Sequence, residues 1–167
     1  MKSIFKLLFA AFLTVAPLTV NAQSNVAHIN VQQLISEMPE VIAAQNELAK
    51  LEKDYTTQID NAFKEFQTKA QSYSSDAANQ TDVTNQARQK ELESMQTNLQ
   101  EFRDSAAQEL QKKQMDLMTP LLEKARNAIT KVGEEQGFNY VIDSSPNGGI
   151  ILANGKDLLA DVKNELG

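Results

Sequence analysis

Apolar and polar positions follow two different periods along this chain, and the switch between them divides it into three stretches. From Asn25 to Val31, the residues Val26, His28 and Asn30 alternate with Ala27, Ile29 and Val31, the period of two that marks a strand with one buried face. Over the long middle the period becomes helical. Leu48, Leu51, Tyr55, Ile59, Ala62, Phe66, Ala70 and Tyr73 recur about every 3.6 residues, with no Gly or Pro between them. Leu92, Met95, Leu99, Phe102, Ala106, Leu110, Leu117, Leu121, Ala125, Ile129 and Val132 carry a similar stripe onward. Because this spacing exceeds the 3.5 of a strict heptad, the two helices are expected to lie nearly straight or weakly supercoiled. The segment Ser74 to Asp82 is all small or polar, which predicts the tip of an antiparallel helical hairpin, with Thr81 and Asp82 available to cap the second helix.

Beyond the middle, Gly133 and Gly137 weaken and end the second helix. Phe138 to Asp143 and Gly149 to Ala153 are two strand candidates joined by Ser144-Ser145-Pro146-Asn147-Gly148, which predicts a β-hairpin. Leu158, Leu159, Val162 and Leu166 form the stripe of a short amphipathic helix. Two prolines mark levels along the hairpin. Pro39 lies 39 residues before Ala78 at the middle of the tip and Pro120 lies 42 after it, so both fall at about the same height. Each lacks the N–H of an intrahelical bond, so the arm should start or kink there, making Pro39 and Pro120 the expected hinge. Above that level an arm of about 35 residues projects roughly 50 Å at 1.5 Å per residue.

The expected fold is therefore α+β. Residues 23–38 and 121–167 form a small β-rich body, and residues 39–120 form a long antiparallel α-helical hairpin with its tip near 74–82. Three short strands leave open sheet edges, so the body is a poor monomer. Cyclic association of several copies would close those edges into a barrel-like core. Ile29, Val31, Phe138, Tyr140, Ile142 and Ile151 are the residues expected to build this oligomerisation body. The pattern alone does not separate a trimer from other rings.

Composition narrows the chemistry. The 167 residues contain no Cys, no Trp and one His, which excludes disulfide scaffolds, thiolate metal sites and cysteine nucleophiles. Sixteen Gln and thirteen Asn against ten aromatic residues also argue against an ordinary core built on aromatic anchors. Lys2 and Lys6, the apolar run Leu7 to Val15, and Val20-Asn21-Ala22 before Gln23 read as a signal peptide over residues 1–22. The run is shorter than the roughly 20 residues needed to span a bilayer, so no stable membrane insertion is expected. Residues 23–167 carry a formal net charge of −8, which argues against generic binding to nucleic acid or anionic lipid.

Catalytic candidates are weak. His28 lies on a strand face with Val26 and Asn30, where a lone histidine is ordinarily a packed or hydrogen-bonded residue rather than a metal ligand. Neither a zinc-protease helix motif, a phosphate loop, a nucleophile elbow nor a dinucleotide fingerprint occurs. Glu91 with Glu93 and Glu134 with Glu135 fall on helices, where acids solvate a face. No catalytic residue, metal or cofactor is expected. The apolar side chains of the hairpin are the remaining binding candidates: Tyr55, Ile59, Phe63, Phe66, Tyr73, Met95, Leu99 and Phe102 could contact another molecule, and the same residues are what a seam between the two helices needs.

At both ends the residues carry a resemblance. Val26-Ala27-His28-Ile29-Asn30-Val31-Gln32-Gln33-Leu34 followed by Pro39, and Leu122-Glu123-Lys124-Ala125 through Phe138-Asn139-Tyr140-Val141-Ile142-Asp143-Ser144-Ser145, resemble the Skp/OmpH family of periplasmic chaperones over residues 25–166. The resemblance implies a jellyfish-shaped homotrimer, with a β-barrel body and three helical tentacles around a cavity that holds unfolded outer-membrane β-barrel proteins without ATP. His28 stands where the family often has an aromatic or aliphatic residue, and Leu159 where a Thr commonly follows the Asp-aliphatic pair, here Asp157-Leu158. The best-studied members are basic, so electrostatic capture of clients or lipopolysaccharide is not carried over to a chain at −8. The alternative is a non-catalytic structural or adaptor coiled-coil protein of the cell envelope.

Overall fold

The computed structural model describes residues 25–146 and 148–167; the signal peptide expected over 1–22 lies outside the described residues. In chain order the elements are β1 (Val26–Ile29), α1 (Val31–Glu37), α2 (Pro39–Asp76), a 3-10 turn (Ala77–Asn79), α3 (Asp82–Glu135), β2 (Tyr140–Asp143), β3 (Lys156–Asp157) and α4 (Leu159–Leu166).

Local chemistry explains where the helices begin and end. Asn30 caps α1, its side-chain oxygen accepting the Gln33 N–H at 2.9 Å. Pro39 opens α2 at the first helical position, where its missing N–H costs nothing and its fixed φ suits the helix. Thr81 caps α3 by accepting the Thr84 N–H. The tip is shorter than the polar run suggested: α2 continues through Ser74 and Ser75 to Asp76, with the Ser75 hydroxyl donating back to the Gln71 carbonyl. Gly137, at φ +74°, ends α3 while the Phe138 N–H reaches back to the Gly133 carbonyl, a glycine C-cap that turns the chain into β2. Pro120 lies inside α3, which runs on through it for another fifteen residues to Glu135.

α2 and α3 pack along each other in opposite directions. Glu40 pairs with Lys124, Glu47 with Lys113, and Lys69 with Glu91, so partner numbers on α3 fall as those on α2 rise. Glu40 follows Pro39 and Lys124 follows Pro120 by one turn, so the two prolines do lie near one level. At 1.5 Å per residue the 38 residues of α2 span roughly 57 Å.

The sheet departs from the sequence reading. Its order is β2-β1-β3, and both outer strands run parallel to β1, with Val26 opposite Tyr140, Ile29 opposite Asp143 and His28 opposite Asp157. The expected β-hairpin between residues 138–143 and 149–153 is absent: β2 and β3 lie on opposite sides of β1, so the segment between them crosses over instead of turning back. Only Lys156–Asp157 reach β1 on the far side, and Gly149 to Ala153 form no strand. Val31 is not the last strand residue but the first of α1, because the Asn30 cap turns the backbone there. Within one chain the sheet is open, not a closed barrel.

The inner face of this sheet holds the core. Ala27 and Ile29 of β1 meet Leu34 of α1, Met38 and Val41 at the α2 start, Ala125, Ala128 and Val132 of α3, and Leu158 and Val162 at α4. Gly133 of α3 is buried against β2, where a Cβ would lie 2.8 Å from Val141 Cγ2. Leu158 is the N-cap of α4 and offers no side-chain acceptor; Asp157, one residue earlier, accepts the Leu159 N–H at 2.9 Å.

Candidate functional site

Two surfaces of the described residues carry apolar side chains into solvent. The first is the outer face of the sheet. Since Ala27 and Ile29 point into the core, alternation turns Val26 and His28 outward, together with their register partners Tyr140, 64 % exposed, and Ile142, 38 % exposed. His28 Nδ1 lies 3.1 Å from Ser144 Oγ, which shares this face. Beside it Ile150, Ile151 and Leu152 stand out from the crossover segment, Ile151 fully exposed. The segment is anchored by polar contacts: Ser145 Oγ donates to Asp143, the Ser145 and Val31 N–H groups also reach that carboxylate, and Ser145 in turn accepts the Gln32 N–H. The Ser145 hydroxyl, with some opposition from burial, holds the Asp143 carboxyl below the usual range.

Next to the free edge of β2 lies a groove of about 560 Å³ between α1, α3 and β2. Val31, Ile35, Leu122, Ile129, Phe138 and Tyr140 contribute its apolar lining. Of the six residues expected to build an oligomerisation body, Ile29 is in the core, Val31 and Phe138 pack against it, and Tyr140, Ile142 and Ile151 are exposed.

The second surface runs along α2 and α3. The eight expected client-contact residues divide by position. Leu99 is buried between the helices. Tyr55 and Phe102 meet edge to face with ring centroids 6.0 Å apart, and the Tyr55 hydroxyl donates to Glu109. Tyr73 donates to Glu91 at 2.6 Å across the pair, and the Arg88 guanidinium lies 4.7 Å above its ring. Phe63 and Phe66 stack on α2 at 6.4 Å, with Phe63 exposed and Phe66 half-buried. Ile59 and Met95 are half-buried. Ile42, Val83, Met115 and Leu122 add exposed apolar side chains that the periodic stripes passed over. The signal for Met115 was present, since it falls off the stripe between Leu110 and Leu117.

Polar ties hold these helices in register. Lys69 and then Tyr73 depress the Glu91 carboxyl, Arg88 and Asn79 depress Asp76, and Lys124 depresses Glu40; Glu91 and Glu109 raise the phenols of Tyr73 and Tyr55. The Lys124–Glu40 and Tyr55–Glu109 contacts are exposed and those of Glu91 and Asp76 part-buried, and the worth of such pairs lies in alignment more than in energy. Among the described residues, no cluster of His, Asp and Glu could hold a metal ion, and no helix is long and apolar enough to cross a membrane.

Comparison with known proteins places this architecture. The family described as "Outer membrane protein (OmpH-like)" matches residues 25–166. The chain is 27% identical over 148 residues to the chaperone protein Skp of Yersinia enterocolitica, covering 86% of each chain. It is 20% identical over 151 residues to the Skp of Pectobacterium atrosepticum, covering 90% of each. In structure it resembles an OmpH-like outer membrane chaperone of Caulobacter crescentus with a TM-score of 0.77 at 12% identity, over 87% of this chain and 85% of that one. With the match running from β1 through α4, the chain belongs to the OmpH-like family, among whose members are the Skp chaperones.

Proposed function

We propose that this protein is an ATP-independent holdase of the periplasm that keeps unfolded outer-membrane β-barrel proteins from aggregating. The observation that carries this reading is the spacing of exposed apolar side chains along α2 and α3. Ile42, Phe63, Val83 and Met115 are exposed at separate levels over the length of the pair, not gathered in one patch. A strand of an outer-membrane barrel alternates apolar and polar residues, so its unfolded form also offers many small patches. Each contact buries little, at most about 1.5–3 kcal/mol for a whole side chain, so useful affinity requires several arms acting together. Names of the relatives support the chaperone reading, and the export signal read in residues 1–22 supports the periplasm.

Assembly is part of the proposal. A homotrimer would place three helical pairs around one space, with the sheet end as a β-rich body and Pro39 and Pro120 as the joint. Two features of a single chain favour copies of itself as the partner. The protruding Ile150-Ile151-Leu152 segment is apolar and of strand composition, and the groove beside the free edge of β2 is apolar on the same molecule. A segment on one face and a receptor on another make a head-to-tail contact, which closes into a ring when the rotation allows.

The decisive experiment dilutes a urea-unfolded outer-membrane barrel into buffer with the mature protein and no nucleotide. Light scattering should stay low at near-stoichiometric protein, and deletion of Ala62 to Gln100 should abolish protection. A structural bridge of the envelope, the alternative, leaves aggregation unchanged.

A further inference from the structure

We infer that Asn154 is a site of spontaneous modification, where the side-chain amide is lost to give aspartate and isoaspartate at the end of the exposed apolar segment. The dipeptide Asn-Gly occurs twice in the chain, at Asn147-Gly148 and at Asn154-Gly155. In each, the glycine has no Cβ to shield its main-chain nitrogen from the asparagine side chain before it. That nitrogen, once it has given up its proton, attacks Cγ of the asparagine. The Cγ–Nδ2 bond breaks, ammonia leaves with the proton, and a succinimide ring closes. Water then opens the ring at either carbonyl, returning a proton to the nitrogen. One opening leaves aspartate. The other leaves isoaspartate, whose main chain runs through Cβ and Cγ and is longer by a methylene.

The fold treats the two glycines differently. The Gly148 N–H donates to the Ser145 carbonyl at 2.7 Å, and a Cβ on Gly148 would lie 2.6 Å from the Asp143 carbonyl oxygen, so its main chain is held against the end of β2. Attack from that nitrogen first costs the hydrogen bond. Among the described residues no backbone hydrogen bond engages the Gly155 N–H, and Asn154 and Gly155 are exposed, outside any helix or strand. Gly155 is fixed from its C-terminal side alone. A Cβ there would lie 2.7 Å from the Val26 carbonyl oxygen, Lys156 and Asp157 pair with β1, and the fully buried Leu158 donates its N–H to the His28 carbonyl at 2.9 Å. On the other side Ile150, Ile151 and Leu152 stand in solvent, so Asn154 can swing its side chain onto a nitrogen that the strand keeps in place. The added methylene goes into the same loose side, because β3 cannot slide without drawing Leu158 out of the core. The acid formed stands two residues beyond Leu152, so the apolar segment gains a negative charge and a longer backbone as the protein ages.

The test incubates the mature full chain in mildly alkaline buffer and follows the tryptic peptide 132–156, which contains both dipeptides, by tandem mass spectrometry. The mass increment of amide-to-acid exchange should build up at Asn154 several-fold faster than at Asn147. In mildly acid buffer, where the glycine nitrogen keeps its proton, it should build up more slowly. Labelling by an isoaspartyl methyltransferase and a radioactive methyl donor should rise in parallel and fall several-fold in Asn154→Gln, whose larger ring closes slowly; circular dichroism verifies that this variant keeps its helices. In guanidinium chloride, where the contacts of Gly148 are lost, the two sites should convert at similar rates. An Asn154 that stays intact in the folded protein, or an Asn147 that converts as fast, overturns the assignment. So does a preference for Asn154 that persists in guanidinium chloride, since it would owe nothing to the fold.

Discussion

The phenol of Tyr73 on α2 donates to the carboxylate of Glu91 on α3 at 2.6 Å, and the same carboxylate takes the ammonium of Lys69. One acid thereby ties two successive turns of the opposite helix, and Arg88 above the Tyr73 ring extends the tie to Asp76 beside the tip. Near the tip the helices are thus joined by polar contacts alongside the half-buried Tyr73, Leu92 and Met95.

Breaking that tie should loosen the tip without melting the fold. In Glu91→Gln, amide hydrogen exchange over residues 69–92 is expected to speed up several-fold, while exchange in the core around Leu34 and Val132 stays as in the parent. Equal exchange rates at the tip would show that the packing of Leu92 and Met95 suffices there.

Acid should act on the same ties. Glu91, Asp76, Glu40 and Glu37 have carboxyls held below their ordinary range, chiefly by hydrogen bonds from Lys69, Arg88, Lys124 and Lys163. A depressed folded value means the contribution is full above the unfolded carboxylate range of about 4 and is lost as pH falls through the folded value. Thermal stability followed by circular dichroism should therefore hold above about pH 5 and decline below about pH 4.

Buried and exposed side chains of the helical pair should separate by experiment. Leu99→Ala removes a side chain that is 8 % exposed and should cost about 2–3 kcal/mol in urea unfolding. Phe63→Ala, at an exposed position, should cost about 0.5 kcal/mol or less yet weaken client holding up to several-fold. If Phe63→Ala destabilises as much as Leu99→Ala, Phe63 is a packing residue and not a client contact.

The helix–strand approach at Gly133 leaves no room for a side chain. Gly133→Val should destabilise by about 1–3 kcal/mol through overlap with Val141, measured as a lower urea midpoint with an unchanged slope. A neutral result would mean that β2 shifts away from α3 without cost.

Pro120 gives a test of flexibility. Although α3 runs through it, the residue removes one intrahelical bond, so Pro120→Ala should narrow the distribution of distances between spin labels near the tips of an assembled protein. The oligomer should persist, because the strands lie elsewhere.

Much of this architecture follows from local rules. The helical stripes from Leu48 to Val132, the Thr81 cap, Pro39 at a helix start and Gly137 at a helix end depend on periodicity and backbone chemistry within a few residues, and these were legible in the sequence. The near-equal heights of Pro39 and Pro120 followed from counting residues about the tip, because two helices share one rise per residue. Strand pairing did not follow. Residues 138–143 and 149–153 have the composition of a hairpin, but which edge a strand joins is decided by β1, already seated on the helices and open on both sides. Tertiary structure placed β2 on one side of it and Lys156–Asp157 on the other, and left Ile150, Ile151 and Leu152 unpaired in solvent. It likewise decided which aromatics of the long helices face each other, since a stripe 3.6 residues in period names a face but not its depth: Leu99 is buried, while Phe63 on the same pair stays exposed. Sequence periodicity specifies elements because their bonds are local, whereas the order of strands and the accessibility of each side chain depend on contacts between segments up to 130 residues apart.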